Sequence, residues 1–432
     1  NLYLLENIND NNLKKKIDMM DSEIITFDYF SHNILLENQI KHKKIDEYLE
    51  EQDRKEFFGL ATSLWEWYEI LDEKNFAFHN INLLSIIDRN ELHEFLMGLI
   101  PKIKAIKKIL AQVNFTKIYA SFEIYQLLKN NPDYDVTLFA GYKNNSPLTH
   151  DEIILNFDNI PFSIKPKLSR TKFRMLKRNQ EKITSKMFHL RKDIPEKKKI
   201  VLIEFNPEVY EDLLYEMQKK GIQPVLLNFR RPATLSLNSI NVLRKTDSLV
   251  ILPEDFLGKQ ALTQIKEEKK SMLLKIENTL QNESSKLSSV FSYEGIKFHK
   301  ILIDLFIGIL RERLGEYLIQ ILVSEKLDKF NNVIGAITLN FSGETEKSFS
   351  KVIKNFPIIL LQHAFSNYTK SLMFLDVLDD FRFFKDKVAV YGHVLQEYLL
   401  STDLIPEDKI IVCGSPKYDS FKPITKKSDK KK

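Results

Sequence analysis

His363 follows directly on an apolar run in the segment PIILLQHAF. An imidazole at a strand exit could act as a general base, because its ordinary pKa of about 6.5 lies close to neutrality. Gln362 beside it could orient a substrate or the loop. A structural histidine at the same place would bond a loop carbonyl. A second group is Ser342-Gly343-Glu344-Thr345-Glu346, between an apolar run and a helical pattern. Gly343 permits close backbone approach. The amides of the helix it opens could receive an anion or a sugar hydroxyl, and Glu344 or Glu346 could accept hydrogen bonds from a polyol. Plain helix capping by Ser342, with favourable first-turn acids, explains the same residues without a ligand. Arg230 and Arg231 form a third group, suited to phosphate or carboxylate. The fourth is Gly414-Ser415-Pro416-Lys417, a turn whose amides and lysine could face an anion.

These residues need elements to hold them. KKIVLIEFN at 198–206 reads as a strand, followed by a helix at 207–219, a stop at Lys220-Gly221 and a strand at 222–227. Strands are expected again at 248–252, 333–339, 357–361, 388–391 and 410–412, with helices at 344–354 and 394–401 and a mainly helical insertion over 256–328. Near-continuous apolar strands alternating with helices argue for a parallel sheet covered on both faces. The chemistry-bearing groups then fall past carboxyl ends, where open α/β sheets bind ligands. The fold class is therefore α/β with Rossmann-like parallel sheets. Residues 1–160 also alternate, with strands expected at 22–28, 117–121 and 135–140 and a helix at 45–70. A basic, mostly helical connector over 161–197 comes next, then the Rossmann-like region 198–420 and a Lys-rich tail at 421–432, expected to be disordered.

The length of 432 residues suggests two or three domains on a prior of ~150 residues each. A hydrophobic fraction of 43% and a charged fraction of 28% place the chain among globular proteins with ample core material. Cys413 is the one cysteine. It excludes an intrachain disulfide, suits a reducing cytoplasm and reads as a small buried hydrophobe. No apolar run approaches the ~20 residues that span a bilayer. No Cys cluster or histidine spacing suggests a metal, and phosphate-loop, GxGxxG, HExxH and GxSxG motifs are absent. Residues 165–199 carry 14 Lys/Arg and 3 Asp/Glu, a balance of +11 in a chain of net charge +5. That stretch could meet an anionic membrane surface, or could simply be a solvated helix; no specific nucleic-acid signature accompanies it.

Taken in order, LLQHAF, VAVYGHVLQEYL and KIIVCGSPKYD resemble the GT-B glycosyltransferases of surface-polysaccharide synthesis, relatives of capsule and lipopolysaccharide sugar transferases and of CDP-glycerol glycerophosphotransferases. In that group one strand ends in a QHG or WHG element and a later one in GxPxxD. The segments VLIEFNPEVYEDLLYEM, LLNFRRPA and LNFSGETEKSF are similar to an uncharacterised branch of it. The resemblance implies transfer of a sugar or polyol phosphate from a nucleotide-activated donor to a glycan or lipid-linked acceptor, without metal or cofactor. His363 matches the proposed base, and Ala364 stands where the group usually has Gly. The GxPxxD element lies near the passage into a second Rossmann-like domain that supplies most of the donor site. The resemblance therefore implies an acceptor-side half at 198–420, inactive alone. A nucleotide-sugar epimerase using Glu344 or Glu346, and a non-catalytic carbohydrate-binding or assembly subunit, are the alternatives. The expected place is the cytoplasm, peripheral to the inner membrane face.

Overall fold

The computed structural model describes residues 1–8, 17, 22–139, 152–154, 167–190, 192–363, 386–401 and 405–418. The expectations for Ala364, for the first part of the basic connector at 161–166 and for the tail at 421–432 lie outside these residues. Two compact units are present. One comprises Asn1–Phe76, Arg89–Glu152 and Met272–Glu312; the other comprises Ala77–Asp88, Ile153–Ser271 and Arg313–Lys432.

The first unit is built on strands β1 (Leu2–Leu5), β2 (Glu23–Thr26), β3 (Lys43–Lys44), β4 (Ile118–Ala120) and β5 (Val136–Leu138). They form one sheet in the order β3-β2-β1-β4-β5, and every pair is parallel. The first strand expected from the sequence lies at 22–28, but the central strand of the sheet is β1, which precedes it. Four residues show too little periodicity to be distinguished from a helix turn. The helix expected over 45–70 is a shorter helix, Asp53–Ser63, between 3-10 turns at Ile45–Tyr48 and Trp67–Ile70. The second turn lets the Trp67 ring stack on Phe306 at 4.2 Å between centroids.

The second unit carries β6 (Lys198–Ile203), β7 (Ile222–Leu227), β8 (Leu249–Val250), β9 (Val333–Thr338), β10 (Ile358–Leu361), β11 (Lys387–Val390) and β12 (Ile410–Val412). Their order is β8-β7-β6-β9-β10-β11-β12, all parallel. The Rossmann-like α/β expectation is met. Alternation along each strand divides the core between two faces. Val201, Ile203, Val225, Ala336 and Ile358 pack on one side, with Val323, Phe349 and Leu399 from helices. Leu202, Leu226, Leu361 and Ala389 pack on the other, with Leu214, Met217 and Leu243. Three helices carry side chains that meet around the strand ends: α1 (Arg170–Met187), α2 (His299–Asp328) and α3 (Glu344–Val352).

Strand order reverses between β6 and β9. The helices that follow these two neighbours pack on opposite faces of the sheet, and the region beyond their carboxyl ends is the usual ligand position in such sheets.

Candidate functional site

Beyond these carboxyl ends the first polar residue is Glu204, directly after β6. Its backbone is left-handed, with φ of 59°, a conformation that costs a residue with a Cβ roughly 1–2 kcal/mol. The turn swings its carboxylate onto the end of β7. There it accepts the Phe229 amide at 2.7 Å and the Arg230 amide at 3.0 Å. The Thr345 hydroxyl donates to it at 3.2 Å. These bonds offset the backbone cost and tie together the exits of β6, β7 and β9.

Arg230 continues from β7 into an ion pair with Glu346, and its Nε lies 3.7 Å from Glu204. Burial acts to lower the Arg230 pKa, but Glu346 and Glu204 outweigh it and the net direction is upward. Its side chain is 40% exposed, so the guanidinium keeps an edge toward solvent. Arg231 diverges. It is exposed, and its charge bears on Lys177 of α1. The adjacent arginines therefore do not act as one clamp.

Gly343, not Ser342, is the N-cap of α3, with φ of −70° and ψ of 151° and no side-chain cap. The Ser342 amide and hydroxyl instead both donate to Asn340 Oδ1 at 2.9 Å, and Ser342 is buried. Gly343 is required for space. A Cβ there would collide with the Glu346 carboxylate and come within 3.2 Å of Arg230 Nη1. Glu346 is buried, and its Oε2 has no hydrogen-bond partner. Burial is the largest influence on its carboxyl and drives it up to about 8, against the pull of Arg230. Replacing Gly343 with alanine is expected to push Glu346 off Arg230 and to lower stability by about 1–3 kcal/mol, the usual cost of overpacking. Urea unfolding would register this, and an unchanged midpoint would contradict the packing account.

Glu344 has a different fate. Arg170 Nη2 donates to it at 2.7 Å, Arg313 Nη1 at 2.7 Å and the Tyr317 hydroxyl at 2.8 Å. Burial alone would raise its carboxyl, but Arg170, Arg313 and Arg174 outweigh it and hold it at about 2. Both oxygens are engaged, so Glu344 anchors α3 to α1 and α2 and leaves polyol binding to other groups. Gln320 of α2 adds a bond to the Thr345 hydroxyl at 3.2 Å.

At the next exit Gln362 is buried. Its Oε1 accepts the Tyr391 amide at 2.7 Å, which clips the ends of β10 and β11 together. His363 is exposed. Partial desolvation lowers its pKa against the influence of the Leu339 backbone, and Lys417 and Arg230 add to the lowering. The imidazole is therefore held neutral, the state in which it can accept a proton. Gly414 turns the chain after β12 with φ of 78°, and the Ser415 hydroxyl has no partner. Cys413 is exposed rather than buried, because it stands past the end of the edge strand β12.

Six expected site residues thus gather at the carboxyl ends: Arg230, Gly343, Glu346, Gln362, His363 and Lys417. Glu204, Arg170, Arg174, Arg313 and Tyr317 join them without having been expected from the sequence. Glu204 was an available signal, a single acid closing the run VLIE. Arg170 and Arg174 were seen only as part of a basic stretch. Among the described residues no group of three His, Cys, Asp or Glu could hold a metal ion. No protein-family model, curated protein or solved structure matches the chain.

Proposed function

We propose that the chain is a GT-B-type glycosyltransferase that moves a sugar or polyol phosphate from a nucleotide-activated donor to a surface-glycan or lipid-linked acceptor, with His363 as the base. The observation that carries this reading is the convergence of neutral His363 with Arg230 and Lys417 beyond the carboxyl ends of β10, β7 and β12. Two cations suit a phosphorylated donor. A neutral imidazole among them suits removal of a proton from an attacking hydroxyl, which then bonds to the transferred carbon or phosphorus while the nucleotide leaves with the bond's electron pair. The need for a separate donor domain is given up in this reading, since the chain already contains two parallel-sheet units. A peripheral, cytoplasmic place at a membrane fits the acceptor class; no described helix is long and apolar enough to cross a bilayer.

Glu346 supports an epimerase as the second reading, because a buried carboxyl whose pKa is pushed up by burial is a candidate acid. Incubation of the chain with a panel of nucleotide sugars and glycan acceptors separates the two. Transfer is expected to yield free nucleotide with a glycosylated product. An isomerised nucleotide sugar would favour the epimerase, and binding without turnover across the panel would favour a carbohydrate-binding subunit.

A further inference from the structure

Helix α1 is inside out. Arg174, Arg178, Glu181 and Ser185 recur at spacings of four, three and four, so they form one stripe of the helix. That polar stripe faces inward. Arg174, Glu181 and Ser185 are buried. Arg174 pairs with Glu316, Arg178 reaches Glu254 at 2.8 Å, and Glu181 accepts the Ala233 amide at 2.6 Å. Burial lowers Arg174 to about 10 and raises Glu181 to about 8. Much of the arginine charge that made the connector look strongly basic is thus spent inside the unit.

The outward stripe holds the large apolar side chains. Leu176, Ile183 and Met187 recur at spacings of seven and four, and Met175 lies beside them. Their exposures are 52%, 66%, 61% and 56%. Lys172, Lys182 and Lys186 occupy the same outward arc and are exposed; Lys182 reaches Asp255 at 3.1 Å. The loop after β7 extends the apolar surface. Thr234 bonds the Thr184 hydroxyl at 2.7 Å, and the neighbouring Leu235 and Leu237 are 56% and 73% exposed. A helix that turns its charges inward and its leucine, isoleucine and methionines toward water gains nothing from that face in isolation. Apolar side chains ringed by lysines are the pattern of a helix lying in the headgroup region of a bilayer. The lysine ring makes an anionic lipid surface the complementary occupant.

We propose that the outward face of α1, with Leu235 and Leu237, docks the protein on anionic lipid bilayers. Leu176, Ile183 and Met187 enter the headgroup–acyl boundary, while Lys172 and Lys186 contact lipid phosphates. This assigns a surface to the peripheral placement that belongs to the proposed function. It does not involve the transfer step, so vesicle binding and sugar transfer can fail separately.

The test is co-sedimentation of the full chain with vesicles of phosphatidylcholine containing phosphatidylglycerol, and with phosphatidylcholine alone. Binding is expected to the anionic vesicles at low salt, and to weaken in high salt. K172E/K186E should lower the partition coefficient about 30-fold or more, as removal of two interfacial lysines implies. L176S/I183S should lower it about 10-fold or more through loss of apolar burial. All four positions are exposed, and circular dichroism checks that the variants fold. As an independent readout, M187C in a C413S background, labelled with an environment-sensitive dye, should shift to the blue on anionic vesicles. Absence of wild-type binding at low salt overturns the proposal. So does binding that survives L176S/I183S, which would be simple polyanion attraction. A dimer in sedimentation velocity that the same double variant dissolves, without vesicle binding, would overturn it too and assign the face to a second copy of the chain.

Discussion

Replacing His363 with alanine is expected to lower kcat by about 10²-fold or more in whichever transfer assay the wild-type chain supports, the usual contribution of a positioned general base. Donor binding should change little, because the phosphates are assigned to Arg230 and Lys417. The pH profile carries the sharper test. Partial desolvation and the two neighbouring cations lower the His363 pKa, so the working, neutral imidazole persists below the pH at which an ordinary histidine would be half protonated. The wild-type rate should therefore hold through neutrality and fall only in acid, as His363 gains its proton. Replacing Lys417 with alanine should move that acid limb upward, since one source of the lowering is gone. Unchanged turnover in the alanine variant would remove His363 from the mechanism. A limb that stays put in the Lys417 variant would remove the electrostatic account.

The largest stability effect is expected at Glu344. Substitution by glutamine keeps the shape but leaves Arg313, with its side chain 1% exposed, and Arg170 without their counter-ion. Breaking a buried pair in this way costs about 3–5 kcal/mol, readable as a lower midpoint of urea unfolding. The same carboxylate sets an acid limit. Its pKa is depressed from an ordinary 4.5 to about 2, so its stabilising contribution is fully present above about 4.5 and is lost as pH falls toward 2. Linkage puts that contribution at about 3 kcal/mol. Between those pH values E344Q should lose less stability than the wild type. Parallel acid limbs in the two proteins would show that Glu344 does not carry the acid sensitivity.

Strands are most legible in the sequence where they are long and apolar. The runs at 198–206, 222–227 and 333–339 became β6, β7 and β9, because six-residue apolar stretches bounded by polar turns admit few other structures. That signal fails at β1, whose four residues gain strand identity only from β2 and β4 on either side. The site was partly legible. His363, Arg230 and Lys417 were each visible as polar residues past a strand end. Ser342 was misread as a cap, because the choice between Ser342 and Gly343 turns on where the Glu346 carboxylate lies, three residues away and against a side chain from another strand.

Alone, then, the sequence determined the α/β class, the alternation that gives each sheet two apolar faces, and the polar residues that close its strands. Those are local consequences of periodicity and turn chemistry. Which residues meet was decided only by the tertiary structure. The reversal of strand order between β6 and β9 brings Glu204, Arg230 and Glu346 together across 142 positions of chain (204 to 346). Folding also shifts the carboxyls of two neighbouring glutamates in opposite directions. Glu344 meets three guanidinium groups, whose attraction outweighs its desolvation, while Glu346 meets one and its desolvation prevails. The same packing turned the arginines of α1 inward and its apolar residues outward. The balance of +11 over residues 165–199 could not show that arrangement, because charge counts carry no information about which face of a helix is covered.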